Sequence, residues 1–177
     1  MDKKVNDFSI SVVIPTYNAE RTIKRALDSV RKQTAVELIS EIIVVNDGST
    51  DGTQKIVEDY RKNHPEISVL LINKKNGGVS SARNIGMENA NGNWIALLDS
   101  DDEWRENHLE ELNTLMEQFP NYNVYITGYD LTLNDGTLIH KSQEILKSFP
   151  QVKKNFFVFY TLVFSIFLVL YVHFLVI

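Results

Sequence analysis

Trp94 to Trp104 reads WIALLDSDDEW, an apolar run that stops abruptly in a cluster of acids. Its first five residues are continuously apolar, as expected of a parallel strand covered on both faces. The acids that follow would be costly to bury, so they belong to a rim where the strand ends. Working outward, Ile10 to Pro15, Glu41 to Asn46 and Ser68 to Ile72 are three further short runs rich in Val and Ile. Between them, Ile23, Ala26, Leu27 and Val30 recur at helical spacing, and Ile56, Val57 and Tyr60 do so after Ser49-Thr50-Asp51. Asp51 is read as the cap of that second helix. A weaker helix runs through Ala82, Ile85 and Gly86, and another through Leu109, Leu112, Met116 and Phe119. Strand and helix alternate, which predicts an α/β domain with right-handed crossovers. Asn134-Asp135-Gly136 is a hairpin signal, so an antiparallel pair is expected after the parallel part.

Composition narrows the class. The 177 residues are 44% hydrophobic and 23% charged, enough for one well-buried core. A net charge of -5 without basic blocks argues against a nucleic-acid partner. There is no cysteine, which excludes a disulfide framework, a thiol nucleophile and a Cys-based zinc site. The amino terminus, MDKKVNDF, is charged rather than signal-like.

Phe156 to Ile177 contains no Asp, Glu, Lys or Arg. Its size suits an apolar helix spanning a membrane, for which about 20 residues are required. Lys147, Lys153 and Lys154 precede it and would keep the amino-terminal domain on the cytoplasmic face. The alternative for this tail is a frameshift product, which would leave the domain simply cytoplasmic.

In an open α/β sheet, ligands collect beyond the carboxyl ends of the strands. Those ends carry Thr16-Tyr17-Asn18, Asp47-Gly48-Ser49-Thr50-Asp51, Asn76-Gly77-Gly78 and Asp99-Ser100-Asp101-Asp102. Glycines there let the backbone approach a ligand closely. Asp99 and Asp101, one residue apart at a strand end, can share a hard cation such as Mg2+ or Mn2+, with phosphate oxygens completing its shell. Each turn alone is an ordinary loop or cap; four at one edge point to a nucleotide cleft.

Taken together, SVVIPTYNAERTIKRALDSVRKQT, EIIVVNDGSTDGT and NGGVSSARNIGMENANGNWIALLDSDD strongly resemble the family 2 glycosyltransferases, inverting enzymes that use nucleotide sugars. The resemblance spans roughly Ser9 to Asn134. It implies a nucleotide-diphospho-sugar transferase fold: a Rossmann-like, mainly parallel sheet with helices on both faces, here followed by the apolar helix. The expected organisation is a nucleotide-sugar-binding domain over residues 1–146, a basic linker over 147–155 and the tail over 156–177.

The resemblance also implies roles. Pro15, Thr16 and Asn18 match the first nucleotide-contacting loop, Asp47 the acid that hydrogen-bonds the base, and Arg83 a cation near the nucleotide. Asp99 and Asp101 match the Asp-x-Asp motif: Asp99 approaches ribose or metal, and Asp101 holds Mn2+ or Mg2+ on the diphosphate. Asp102 is placed to substitute for Asp101 or to support it. The implied donor is a nucleoside diphosphate sugar, a UDP-sugar first. The implied acceptor is a glycan or lipid-linked glycan in the synthesis of lipopolysaccharide, capsule or exopolysaccharide.

Transfer also requires a general base for the acceptor hydroxyl. The family's later carboxylate pair has no match here. Asp135 is explained by its turn, Glu144 stands in no recognisable context, and His140 reads as a loop histidine, so no base is assigned. The alternative to a transferase is therefore a shortened, non-catalytic nucleotide-sugar-binding domain.

Overall fold

A computed structural model describes residues 8–121, 124, 125, 127, 129–132, 137–141 and 155–157. Strands β1 (Ile10–Thr16), β2 (Ile39–Asn46), β3 (Val69–Asn73) and β4 (Trp94–Leu97) form the expected parallel sheet. Helices α1 (Ile23–Arg31), α2 (Thr53–Asn63) and α3 (Val79–Glu88) connect them, and α4 (His108–Gln118) follows β4. The apolar spacing of α1 is explained by burial, since Ile23, Ala26, Leu27 and Val30 are all fully covered.

Alternation along the central strands divides the core between two faces. Val12, Ile14, Ile42 and Val44 pack with Ile23, Leu27, Val57, Leu109 and Leu112 on one side. Val13, Ile43, Val45, Ile95 and Leu97 pack with Ala82 and Met87 of α3 on the other. Each such aliphatic side chain contributes about 1.5–3 kcal/mol on burial. On the second face α3 lies close to the sheet: a Cβ at Gly86 would fall 2.3 Å from Val13 Cγ1. That contact explains the glycine in a helix, where its flexibility is otherwise unfavourable.

The larger sheet has the order β3-β2-β1-β4-β8-β5, with β5 at Val124–Tyr125 and β8 at Asn155–Phe157. The chain steps outward from β1 through β2 to β3, then returns through α3 to place β4 on the other side of β1. This reversal opens a crevice beyond the carboxyl ends of β1 and β4, the position where such sheets bind ligands. A separate antiparallel pair, β6 (Tyr129–Thr132) and β7 (Leu138–Lys141), agrees with the expected hairpin, although its turn at 133–136 lies outside the described residues.

One expectation is corrected at the carboxyl end. Phe156 and Phe157, read as the start of an apolar helix, belong to β8 and pair in parallel with Ile95-Ala96 of β4 and Val124-Tyr125 of β5. The edge of β4 has backbone groups to satisfy, and the pairing with β8 satisfies them. Residues 158–177 lie outside the described residues, and among the described residues no helix is long and apolar enough to cross a membrane.

Candidate functional site

The crevice is a cleft of about 650 Å³ lined from three strand ends and the start of α3. Pro15, Thr16, Asn18, Asp47, Asp99 and Asp101 all line it, so six of the residues singled out from the sequence converge. Arg83, the seventh, reaches the cleft through Asp99: its Nη2 donates to Asp99 Oδ1 at 2.6 Å. Asp102 does not line the cleft; its backbone N–H donates to the Asp99 carbonyl at 3.1 Å and closes the turn.

The loop after β1 is pinned to the loop after β2. Asn18, in a left-handed conformation at φ 50°, donates its N–H to Ser49 Oγ at 2.9 Å, and its Oδ1 accepts from Thr50 N at 2.9 Å. Asn tolerates that conformation better than most residues with a Cβ. The N-cap of α2 is Gly52 rather than Asp51. Asp51, one residue earlier, accepts from Thr53 N at 3.0 Å while its other oxygen accepts from Glu20 N at 3.1 Å, tying the start of the helix to the β1 loop. Thr16 is buried at the mouth of β1, and its hydroxyl has no hydrogen-bond partner among the described residues. A buried hydroxyl lining a cleft without a partner is suited to a ligand.

Asp47 accepts three hydrogen bonds. Its Oδ1 accepts from Lys74 Nζ and from Gly77 N at 2.9 Å, and its Oδ2 accepts from Gly78 N at 2.8 Å. Burial alone would raise its pKa, but the Lys74 ammonium and the two backbone donors outweigh it and hold the carboxyl below the usual range. Gly48, at φ 76°, allows the β2 turn to meet the next loop, since a Cβ there would lie 2.9 Å from Asn76 N.

The segment carrying the Asp-x-Asp acids is held from behind by α1 and the residues that follow it. Gln33 Nε2 donates to the Arg105 carbonyl at 2.7 Å, and Gln33 Oε1 accepts from Leu109 N at 3.0 Å. Arg25 Nη2 donates to the carbonyl of Asp101 at 2.5 Å. Lys74, Gln33 and Arg25 escaped the sequence reading because their partners lie 27 to 76 residues away, and no local pattern announces such pairs.

Among the described residues no three acids or histidines gather into a ready-made metal cage. Asp101 is nevertheless exposed at the rim beside Asp99. One or two carboxylates are what Mg2+ or Mn2+ uses when substrate phosphates fill the remaining positions. The donor set therefore fits a metal that arrives with a diphosphate. Asp135 and Glu144 lie outside the described residues.

The model of glycosyl transferase family 2 matches residues 11–170. The chain belongs to that family. It is 39% identical over 133 residues to the glycosyltransferase TuaG of Bacillus subtilis, named for teichuronic acid biosynthesis, a match covering 75% of this chain and 51% of TuaG. It is also 39% identical over 106 residues to GlyA of Streptococcus pneumoniae, covering 60% of this chain and 15% of GlyA. The chain thus spans at most about half the length of these two relatives.

Among solved structures, residues 1–349 of Staphylococcus aureus TarS in complex with UDP match with a TM-score of 0.61 and 29% identity, over 68% of this chain and 36% of that one. The mannosyltransferase PcManGT of Pyrobaculum calidifontis, in complex with GDP-Man and Mn2+, matches with a TM-score of 0.62 and 26% identity, over 68% and 35%. The family 2 chain therefore has the α/β architecture of glycosyltransferases with a parallel central sheet.

Proposed function

We propose that this family 2 glycosyltransferase chain binds a nucleoside diphosphate sugar, a UDP-sugar first, in the cleft between β1 and β4. The sugar goes to a glycan or lipid-linked acceptor in the synthesis of a cell-surface polysaccharide. The observation that carries the reading is the convergence of Thr16, Asp47, Asp99 and Asp101 on one cleft, with the Thr16 hydroxyl unpartnered among the described residues. TuaG's name and the UDP complex of TarS support the choice of pathway and donor.

The cleft's own charge supports a metal. Glu20, Asp47, Asp51, Asp99 and Asp101 line it against a single lining cation among the described residues, Arg21, while Lys74 and Arg83 are already paired with Asp47 and Asp99. A diphosphate entering such a site gains from an accompanying divalent cation. Asp101, with Asp99 beside it, would hold Mn2+ or Mg2+. The metal would supply neutralisation of the charge on the departing nucleoside diphosphate. Thr16 and Asp47 bind and orient the nucleoside, and Arg83 holds Asp99 in place through its 2.6 Å hydrogen bond. Membrane association through the residues beyond 157 belongs to the same proposal, motivated by their apolar sequence.

Titration calorimetry with UDP in MnCl2 tests the donor site. Binding that weakens in Asp101→Asn and on chelation supports it; no heat from folded protein sinks it. Release of UDP from UDP-N-acetylglucosamine, above that seen with metal alone, would then separate a transferase from a domain that only binds.

A further inference from the structure

We propose that Lys74 is a positioning residue that makes the cleft select nucleobases with a ring N–H, by fixing Asp47 as a charged hydrogen-bond acceptor. The inference rests on the nucleotide-binding reading above and names the feature of the base that is read.

The geometry is specific about what Asp47 can accept. Asp47 is 3% exposed and lines the cleft. Two donors, Lys74 Nζ and Gly77 N, converge on Oδ1, whereas Oδ2 receives Gly78 N alone. A carboxylate has about four acceptor positions, so one remains, on the less crowded oxygen. The loop that supplies all three donors is itself tied to the sheet, because Lys74 N donates to the Asn46 carbonyl at 3.0 Å. The Lys74 ammonium also donates to the Lys75 carbonyl at 2.8 Å, which fixes it from a second side. Asp47 turning away would break all three of these bonds, one of them to an ammonium whose side chain is only 14% exposed.

An acceptor held in this way favours a donor opposite it. Uracil at N3 and guanine at N1 present an N–H; cytosine and adenine present a bare ring nitrogen at the corresponding position, which a carboxylate repels. Without Lys74 the buried carboxyl keeps its bonds from Gly77 N and Gly78 N but loses its cationic partner, so the charged form is held less firmly. A carboxyl that takes up a proton part of the time can donate to that bare nitrogen, so discrimination should fall. Lys74 lies outside the residues that line the cleft, consistent with action through Asp47.

The test is the affinity of the full chain for UDP, GDP, CDP and ADP in MnCl2, for the native protein and for Lys74→Met, Lys74→Gln and Lys74→Arg. The native chain is expected to favour UDP or GDP over CDP and ADP by roughly tenfold or more, the scale of a lost hydrogen bond to a charged partner. Lys74→Met should lower that ratio the most, Lys74→Gln should lower it less, and Lys74→Arg should preserve it. A purely structural lysine would weaken all four nucleotides together and leave the ratio unchanged, which would overturn the proposal. The same holds if the native chain binds all four alike, although the donor site would then survive. If the folded native chain binds none of them, the donor reading falls as well.

Discussion

The two ends of the parallel sheet both hold a buried acid, and they use it differently. At the amino-terminal edge Glu41 is 9% exposed and is satisfied by neutral donors: Ser11 Oγ at 2.7 Å and Asn91 N at 2.8 Å. Nearby, Gly92 N donates to Ser11 Oγ and Ser9 N to Asn93 Oδ1, so the loop before β4 is sewn to the start of β1. At the carboxyl-terminal edge Asp47 and Asp99 each face a cation and line a cleft. A buried carboxylate is therefore no sign of function by itself. What separates the two edges is the space beside the acid and the acceptor capacity left facing it.

That contrast can be broken most sharply at Asp47. Asp47→Asn is expected to weaken UDP binding about tenfold to a hundredfold, the scale of hydrogen bonds to a charged group, whereas Glu41→Gln should leave the affinity unchanged. Titration calorimetry on both variants decides it, and equal losses would erase the distinction between the edges.

A pH series probes burial behind the upper rim. His108, tilted against Trp104 with ring centroids 5.1 Å apart, is pushed down by burial to a pKa of about 4 from an ordinary 6.5. Its folded value is depressed, so its contribution is fully present above pH 6.5 and is lost as pH falls towards 4. Chemical denaturation across that window should show about 2–3 kcal/mol of lost stability, a slope that His108→Phe flattens.

Gly86 links the edges, because α3 begins at the cleft and rests on the sheet centre. Gly86→Ala should cost about 1–3 kcal/mol in urea denaturation through the clash with Val13. The smallest effect is expected at the lower edge, where Glu41→Gln should cost roughly 1 kcal/mol by weakening its bonds to Ser11 and Asn91.

Much of this architecture is legible in the sequence because it depends on local pattern. The runs at Ile10, Glu41, Ser68 and Trp94 mark strands within a residue or two, and the motifs after them mark the rim. The seven residues assigned by resemblance are the six that line the cleft and the arginine that pairs with one of them. What local pattern hides is the support: Lys74 under Asp47, and Gln33 and Arg25 behind the Asp-x-Asp segment. These contacts form only when distant segments fold together. The strand at Asn155–Phe157 was hidden for a different reason. The aromatic pair at its end suits the start of a membrane helix and a sheet strand equally, and for these three residues the partners on β4 and β5 make the difference.

Ligand is expected to bind at the carboxyl edge of the sheet, where its strand order reverses. The most direct test is to map amide chemical shifts of the labelled full chain as UDP and MgCl2 are added. Shifts concentrated at residues 16–18, 47–48, 76–78 and 99–101, with residues 9–11, 41 and 91–93 silent, are the predicted result. Shifts centred on the Glu41 edge, or none in these four segments at saturating UDP, would contradict it.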